Sequence, residues 1–183
     1  RLKINDQINI FDGYSGEWVS YIKSINRDKT VLKVKENIIN KIQSTNIWLI
    51  FAPIKQHRMS LTIQKATELG VSKIIPCITE YTNLQKIKIK SLQDNAIEAA
   101  EQSGRLDVPI IEDKISLENL LLNWPNDRIL IYCDEKISIK NSILKKLIPL
   151  NLKKTKFGVL VGPEGGFSDK EQKIISRNKN TIS

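Results

Sequence analysis

The segment Val161-Gly162-Pro163-Glu164-Gly165-Gly166-Phe167-Ser168 concentrates the chemical potential of this sequence. Glycine has no Cβ, so a ligand can come close to its backbone. An apolar strand that feeds a glycine-rich turn and then a helix N-terminus is where open α/β sheets hold ligands. Val159-Leu160-Val161 lacks polar alternation and reads as a strand buried on both faces. Ser168 with Glu171 three residues later forms a capping box, which predicts a helix from about Ser168. An ordinary strand-to-helix connection also uses glycine; the Gly165-Gly166 pair and the acid between it and Gly162 narrow the reading.

Two further groups have chemistry to offer. On a helix predicted from about Ser91 to Gly104, Glu98, Gln102 and Arg105 fall at i, i+4 and i+7, with Glu101 beside them. A guanidinium at a helix end suits a phosphate or a base edge, and a solvated helix face with one ion pair is the plainer alternative. Lys55, His57 and Arg58 cluster at the first strand-to-helix junction, where they serve equally as RNA contacts or as surface cations. His57 is the sole histidine, so no His/Cys zinc site is expected and no nucleophile elbow is present.

The composition limits the classes that remain. The 183 residues are 40% hydrophobic and 27% charged, and no apolar run is long enough to cross a membrane. The two cysteines, Cys77 and Cys133, lie in apolar runs and read as small buried hydrophobes of a reducing compartment, which is an expectation of cytoplasmic location. The net charge of +9 suits a polyanionic partner such as RNA, although lysine so outnumbers arginine that genome composition explains part of it.

These groups must be positioned by two kinds of structure. Residues 1 to about 40 read as short strands at Ile8–Phe11, Trp18–Ile22 and Thr30–Val34, with a turn at Asp12-Gly13 and a linker over Asn37–Asn46. From Ile47 the pattern alternates: a strand at Trp48–Phe51, a helix at Gln56–Leu69 ending on Gly70, and a strand at Ile74–Ile78. The series continues with helices at Ser91–Gly104 and Ser116–Leu122, a strand at Ile129–Cys133 and a helix at Ser142–Ile148. Met59, Ile63, Ala66 and Leu69 form the expected buried face of the first helix, and Pro76 argues mildly against a central strand. The alternation predicts a mostly parallel sheet with helices on both faces.

Three blocks in this order resemble the RsmE family, methyltransferases of the SPOUT superfamily that modify N3 of a uridine in small-subunit ribosomal RNA. They are Lys65-Ala66-Thr67-Glu68-Leu69-Gly70-Val71 with Ile74-Ile75-Pro76, Glu98-Ala99-Ala100-Glu101-Gln102-Ser103-Gly104-Arg105 with Pro109, and Val161 to Ser168 with Glu171. The resemblance implies a trefoil-knotted α/β domain over 47–183, preceded over 1–43 by a partial β-barrel (PUA-like) RNA-binding domain. It further implies S-adenosyl-L-methionine as cofactor, a homodimer whose active site uses both chains, small-subunit ribosomal RNA or the assembled subunit as partner, and no metal or membrane. In that family a further strand and a leucine-glycine and arginine-bearing segment follow the last helix, so the domain is expected to be incomplete at Ser183.

By the same match, Leu160, Gly162, Pro163, Glu164, Gly165 and Gly166 are implied to bind the cofactor and Gln102 to contact RNA, while Lys55 and Arg58 are offered as RNA contacts by their place at the first strand-to-helix junction. Arg105 is the implied catalytic residue, as a stabiliser of charge on the uracil carbonyl edge. Glu101, with Glu98 as the alternative, is the candidate proton acceptor, a weak base if paired with arginine. Two alternatives stay open: a non-catalytic RNA-binding protein with a degenerate methyltransferase domain, and a related SPOUT enzyme acting on transfer RNA or a ribose 2′-hydroxyl. A dinucleotide dehydrogenase is disfavoured, since Gly-Pro-Glu-Gly-Gly is not the dinucleotide fingerprint.

Overall fold

In a computed structural model of the chain, the structure describes residues 2–40, 45–83, 86–134, 143–150 and 154–183. The first element is an antiparallel meander of β1 (Gln7–Phe11), β2 (Glu17–Ile25) and β3 (Thr30–Ile39), ordered β1-β2-β3. The Asp12 carboxylate closes the first turn by accepting the N–H groups of Tyr14 at 2.8 Å and Ser15 at 2.6 Å. Those hydrogen bonds, led by the one from Ser15, pull its pKa down to about 2. β3 runs five residues past its predicted end, so Asn37 to Ile39 belong to a strand and not to a linker; residues 41–44 lie outside the described residues.

The second sheet is built from β4 (Ile47–Phe51), β5 (Lys73–Ile78), β6 (Ile110–Ile111), β7 (Ile115–Ser116), β8 (Arg128–Tyr132), β9 (Lys156–Val161) and β10 (Thr181–Ile182). Its order is β10-β8-β9-β4-β5-β6, with β7 also pairing β5, and each of these pairings is parallel. The connecting helices are α1 (Gln56–Glu68), α2 (Ile89–Ser103), α3 (Leu117–Leu122), α4 (Ile143–Leu147) and α5 (Asp169–Arg177). Ser142, placed in the fourth predicted helix, lies outside the described residues. The short strands β6, β7 and β10 had no sequence prediction.

Alternation along the strands sorts the core into two layers. Ile50 and Ile75 face a cluster with Leu117, Leu120, Ile175 and Phe167, under α3 and α5. Their neighbours Phe51 and Ile74 face the opposite cluster with Met59, Ile63, Leu92 and Ala96, under α1 and α2. Complete burial of an aliphatic side chain such as Ile50 or Ile63 stabilises by about 1.5–3 kcal/mol each. Leu69 departs from its expected place, being 83% exposed, because α1 ends at Glu68 and Leu69 is already its C-cap; Thr67 is buried instead.

Pro76 is compatible with a central strand for a local reason. It pairs with Phe51 on one side, whereas on the other β5 changes partner from β6, ending opposite Ile74, to β7, starting opposite Cys77. The missing N–H falls in that gap, where no ladder bond is lost.

The N-terminal edge of the sheet is tied by Arg128, only 5% exposed. Its Nη1 donates to the carbonyls of Asn46 at 2.7 Å and Phe157 at 2.8 Å, and its guanidinium stacks 3.7 Å from the Trp48 ring centroid. Trp124 fills the space above Gly158, where a Cβ would lie 2.4 Å from the indole ring.

Candidate functional site

The order of the strands defines the site. From β4 the chain moves outward through β5 to β6 and β7, then crosses to β8 and returns to insert β9 between β8 and β4. The carboxyl ends of β4, β8 and β9 therefore flank the point where the winding reverses, the usual ligand crevice of such sheets. β9 continues its pairing to the very edge: Cys133 donates its N–H to Leu160 O at 3.1 Å and Ala52 donates to Val161 O at 3.0 Å.

The glycine-rich turn begins at that edge. Gly162 lies beneath the Phe167 ring, and a Cβ there would approach the ring to 2.6 Å. Gly166 closes the turn with its N–H on Pro163 O at 2.9 Å, in the left-handed region at φ +69°. Ser168 then caps α5: Glu171 N–H donates to Ser168 Oγ at 3.3 Å, and Ser168 N–H donates to Glu171 Oε2 at 3.0 Å. The predicted capping box is thus present in both directions. The other oxygen of the buried Glu171 accepts the N–H of Glu80 at 2.8 Å. This anchors the loop after β5, whose Tyr81 packs against Gly165.

A cavity of about 200 Å³ opens between the turn and the end of β8. Its walls include Gly162, Gly165 and Gly166 on one side, Tyr132 and Asp134 on the other, and Phe167 at the base. Tyr132 and Phe167 meet edge to face at 5.4 Å. A second cavity of about 500 Å³ adjoins it and shares Tyr132, Asp134 and Gln172. Glycine backbone, an aromatic wall and a carboxylate fit a nucleoside joined to an amino acid, and the smaller pocket reaches the size of small-molecule sites together with the adjoining cavity.

Four of the six residues expected to hold the cofactor (Gly162, Pro163, Gly165 and Gly166) line this pocket together. Leu160 is fully buried in the core below it. Glu164 points outward and pairs with Arg58, Nη1 to Oε1 at 3.6 Å, with both side chains more than half exposed. Arg58 and the exposed Lys55, which is the N-cap residue of α1, therefore stand at the same edge as the turn. His57 is exposed on the first turn of α1.

Arg105 and Glu101 are elsewhere. α2 stops at Ser103 with Gly104 in the left-handed conformation at φ +68°, so Arg105 has left the helix and does not share the face of Glu98 and Gln102. Its Nε and Nη2 both donate to Asp107 Oδ1, at 3.1 and 2.6 Å, and its Nη1 lies against Gly70. Gly70 precedes β5 and also accepts the hydroxyl of Thr45, which precedes β4, so the guanidinium sits at the N-terminal edge of the sheet. A five-residue strand at about 3.3 Å per residue puts roughly 15 Å between this edge and the glycine turn. Arg105 and Glu101 instead border a cavity of about 500 Å³ beneath the meander, with Phe11, Glu17 and Leu106. Gln102 is exposed on the same end of α2.

Cys77 is buried as expected, and desolvation, with the Glu171 charge second, pushes its thiol up to about 12. Cys133 is not: it is exposed and lines the pocket, because it lies one residue past the end of β8. Tyr132, Asp134, Phe167 and Gln172 are pocket residues that the sequence reading did not single out. The available signal was positional, since a residue at the carboxyl end of a strand beside the switch point is a ligand candidate whatever its type. Among the described residues no group of three or more metal-type ligands occurs, and no helix is long and apolar enough to cross a membrane.

Comparison with known proteins agrees with this geometry. A family model described as an RNA methyltransferase domain matches residues 40–182. Over 183 residues the chain is 37% identical to the ribosomal RNA small subunit methyltransferase E of Rickettsia conorii, covering all of this chain and 73% of that protein. The protein of the same name from Buchnera aphidicola (strain APS) is 29% identical over 187 residues, covering 96% of this chain and 70% of the relative. Among solved structures, a probable rRNA-methyltransferase from Porphyromonas gingivalis superposes with a TM-score of 0.84 at 24% identity, over 100% of this chain and 77% of that one. The Neisseria gonorrhoeae ribosomal RNA small subunit methyltransferase E bound to S-adenosyl methionine gives 0.80 at 24% identity, over 100% and 76%. At these identities the structural likeness establishes the fold, a mostly parallel sheet with helices and a small antiparallel three-stranded sheet before it.

Proposed function

Because this chain belongs to the RsmE family of RNA methyltransferases, an enzyme family that takes its methyl group from S-adenosyl-L-methionine and acts on small-subunit ribosomal RNA, we propose that the glycine-turn pocket holds the donor and that the acceptor is N3 of a uridine. The donor supplies a methyl group on a positively charged sulfur. The observation that carries this reading is the pocket itself, whose wall is glycine backbone held rigid by the Ser168–Glu171 capping box. Rigid placement of the donor against a base is how such a site gains rate, since positioning replaces a bimolecular encounter.

The other roles follow from where side chains stand. Gly162, Gly165 and Gly166 shape the backbone cradle, and Phe167 with Tyr132 forms a wall that excludes water. Lys55 and Arg58, at the same edge, contact RNA phosphates and bring the target base toward the turn. Arg105 stabilises charge on the uracil carbonyl edge, and Glu101 accepts the N3 proton directly or through water. In this reading they act from a second copy, in a homodimer whose site draws on both chains, and their place at the opposite edge of the sheet is the observation that favours it. Gln102, on the same helix end, contacts the RNA beside them.

Residues 1–43 serve as a barrel-type RNA-binding domain and residues 47–183 as the catalytic domain, and the enzyme works in the cytoplasm on ribosomal RNA, free or in the assembled subunit. The test is to incubate the full chain with labelled donor and small-subunit ribosomal RNA, then map the modified nucleotide. N3-methyluridine is the expected product. A methyl on ribose, or on transfer RNA alone, contradicts the assignment, and RNA binding without transfer identifies a non-catalytic binder.

A further inference from the structure

We propose that Asp134 makes the pocket selective for charge: its carboxylate favours the cationic methyl donor over the neutral thioether left after transfer. The inference rests on the reading of the glycine-turn pocket as the donor site. Among the described residues that line the 200 Å³ pocket, Asp134 is the one whose side chain carries a formal charge; the others are glycine, proline, valine, aromatic rings, a thiol and the Gln172 amide. Its backbone is fixed, with the Asp134 N–H donating to Tyr132 O at 3.1 Å one residue after Cys133 has completed its bond to Leu160. Asp134 is half-buried and borders both adjoining cavities. The larger cavity adds Asp169 and the ammonium of Lys173, so the two cavities together offer separate places for a cationic centre and a carboxylate group.

Charge is what changes in the reaction. Uracil N3 forms its bond to the methyl carbon, the S–CH₃ bond breaks with its electron pair kept by sulfur, and the N3 proton passes to Glu101, directly or through water, and from there to solvent. The sulfur thereby goes from positive to neutral while the adenosine and amino-acid parts stay the same. A carboxylate held beside the sulfur loses its attraction at that moment, and the spent cofactor leaves more readily. Between surface and bulk dielectric, a charge pair at contact or near-contact distance accounts for about a tenfold preference, or about 1.4 kcal/mol.

The same carboxylate has a competing use as an acceptor for the ribose hydroxyls, which donor and product share. Calorimetry on the full chain separates the two. The probes are S-adenosylmethionine, S-adenosylhomocysteine and sinefungin, which carries an ammonium where the donor carries sulfonium. The wild-type chain is expected to bind the two cationic ligands about tenfold more tightly than the homocysteine. Asp134→Asn is expected to remove most of that preference by weakening the cations while leaving the homocysteine nearly unchanged, and Asp134→Glu to retain it. A D134N variant that melts like wild type and weakens all three ligands alike overturns the charge role in favour of ribose binding, and unchanged affinities overturn any contact. If the wild-type chain gives no heat with any of them, the pocket assignment itself fails, and this inference with it.

Discussion

Glu171 Oε1 accepts the backbone N–H of Glu80 at 2.8 Å across 91 residues of sequence, while Oε2 of the same carboxylate accepts the N–H of Ser168. One buried side chain thus joins the helix after the glycine turn to the loop after β5. Replacing it leaves the buried Ser168 N–H without an acceptor, at about 1–3 kcal/mol, frees the part-buried Glu80 N–H, and loses about 1 kcal/mol from the cap. Glu171→Ala is expected to lose at least 2 kcal/mol in urea unfolding, and its donor affinity is expected to fall further than stability alone explains. Glu171→Gln keeps an acceptor oxygen and should recover part of both. An alanine variant with unaltered donor affinity would show that the turn holds its shape without this clamp.

The pair Ser168–Glu171 was legible in the sequence because capping chemistry is local: residue types at a fixed spacing decide it. The helices and the main strands were legible for the same reason, through their periodicity and their glycine stops. What escaped the sequence was set by tertiary pairing. β6 and β10 are two-residue strands that exist because β5 and β8 offer open edges. Arg105 was assigned to the face of Glu98 and Gln102 by assuming that the helix continued past Gly104, where the chain in fact turns left-handed. Asp134 and Tyr132 carry no motif, and only the insertion of β9 beside β8 brings them to the glycine turn.

Two glycines in β9 and its turn should respond differently to the same change. A Cβ at Gly158 meets the packed Trp124 ring at 2.4 Å, so Gly158→Ala is expected to cost about 1–3 kcal/mol in stability. At Gly162 the added methyl meets Phe167, a pocket wall, at 2.6 Å. Gly162→Ala is therefore expected to displace that ring and weaken donor binding at least tenfold. Denaturant melts and calorimetry on both variants check the contrast; equal effects on binding would contradict it.

The thiols report on the same site. Cys77 is buried and its thiol is pushed up to about 12, whereas Cys133 is exposed at the pocket. Near pH 8 one thiol per folded chain is expected to react with iodoacetamide, and peptide mapping should place the label on Cys133. Saturating donor should slow that reaction. The raised Cys77 value also has a sign: above pH 9 the unfolded chain gives up a proton that the folded chain keeps. Stability from this group is thus complete below about pH 9 and falls as pH rises toward 12. Labelling of Cys77 at the same rate as Cys133 would contradict the burial.

Arg105 is expected to matter for transfer and not for donor binding, because it stands at the edge of the sheet away from the turn. Arg105→Ala should lower kcat by 100-fold or more, within the range of a lost electrostatic stabiliser, with donor affinity within threefold of wild type. Mixing it with a Gly162→Ala chain should restore activity, since in the mixed dimer one site pairs an intact pocket with an intact Arg105. No recovery on mixing would place Arg105 outside the partner's site.

The claim on which the rest depends is that the turn from Gly162 to Gly166 is where the donor binds. Titrating the isotopically labelled full chain with S-adenosylmethionine while following backbone amides tests it directly. The expected result is saturable shifts concentrated at Gly162, Gly165, Gly166 and Tyr132 to Asp134. Shifts confined to the Arg105 edge, or none at millimolar donor, would contradict it.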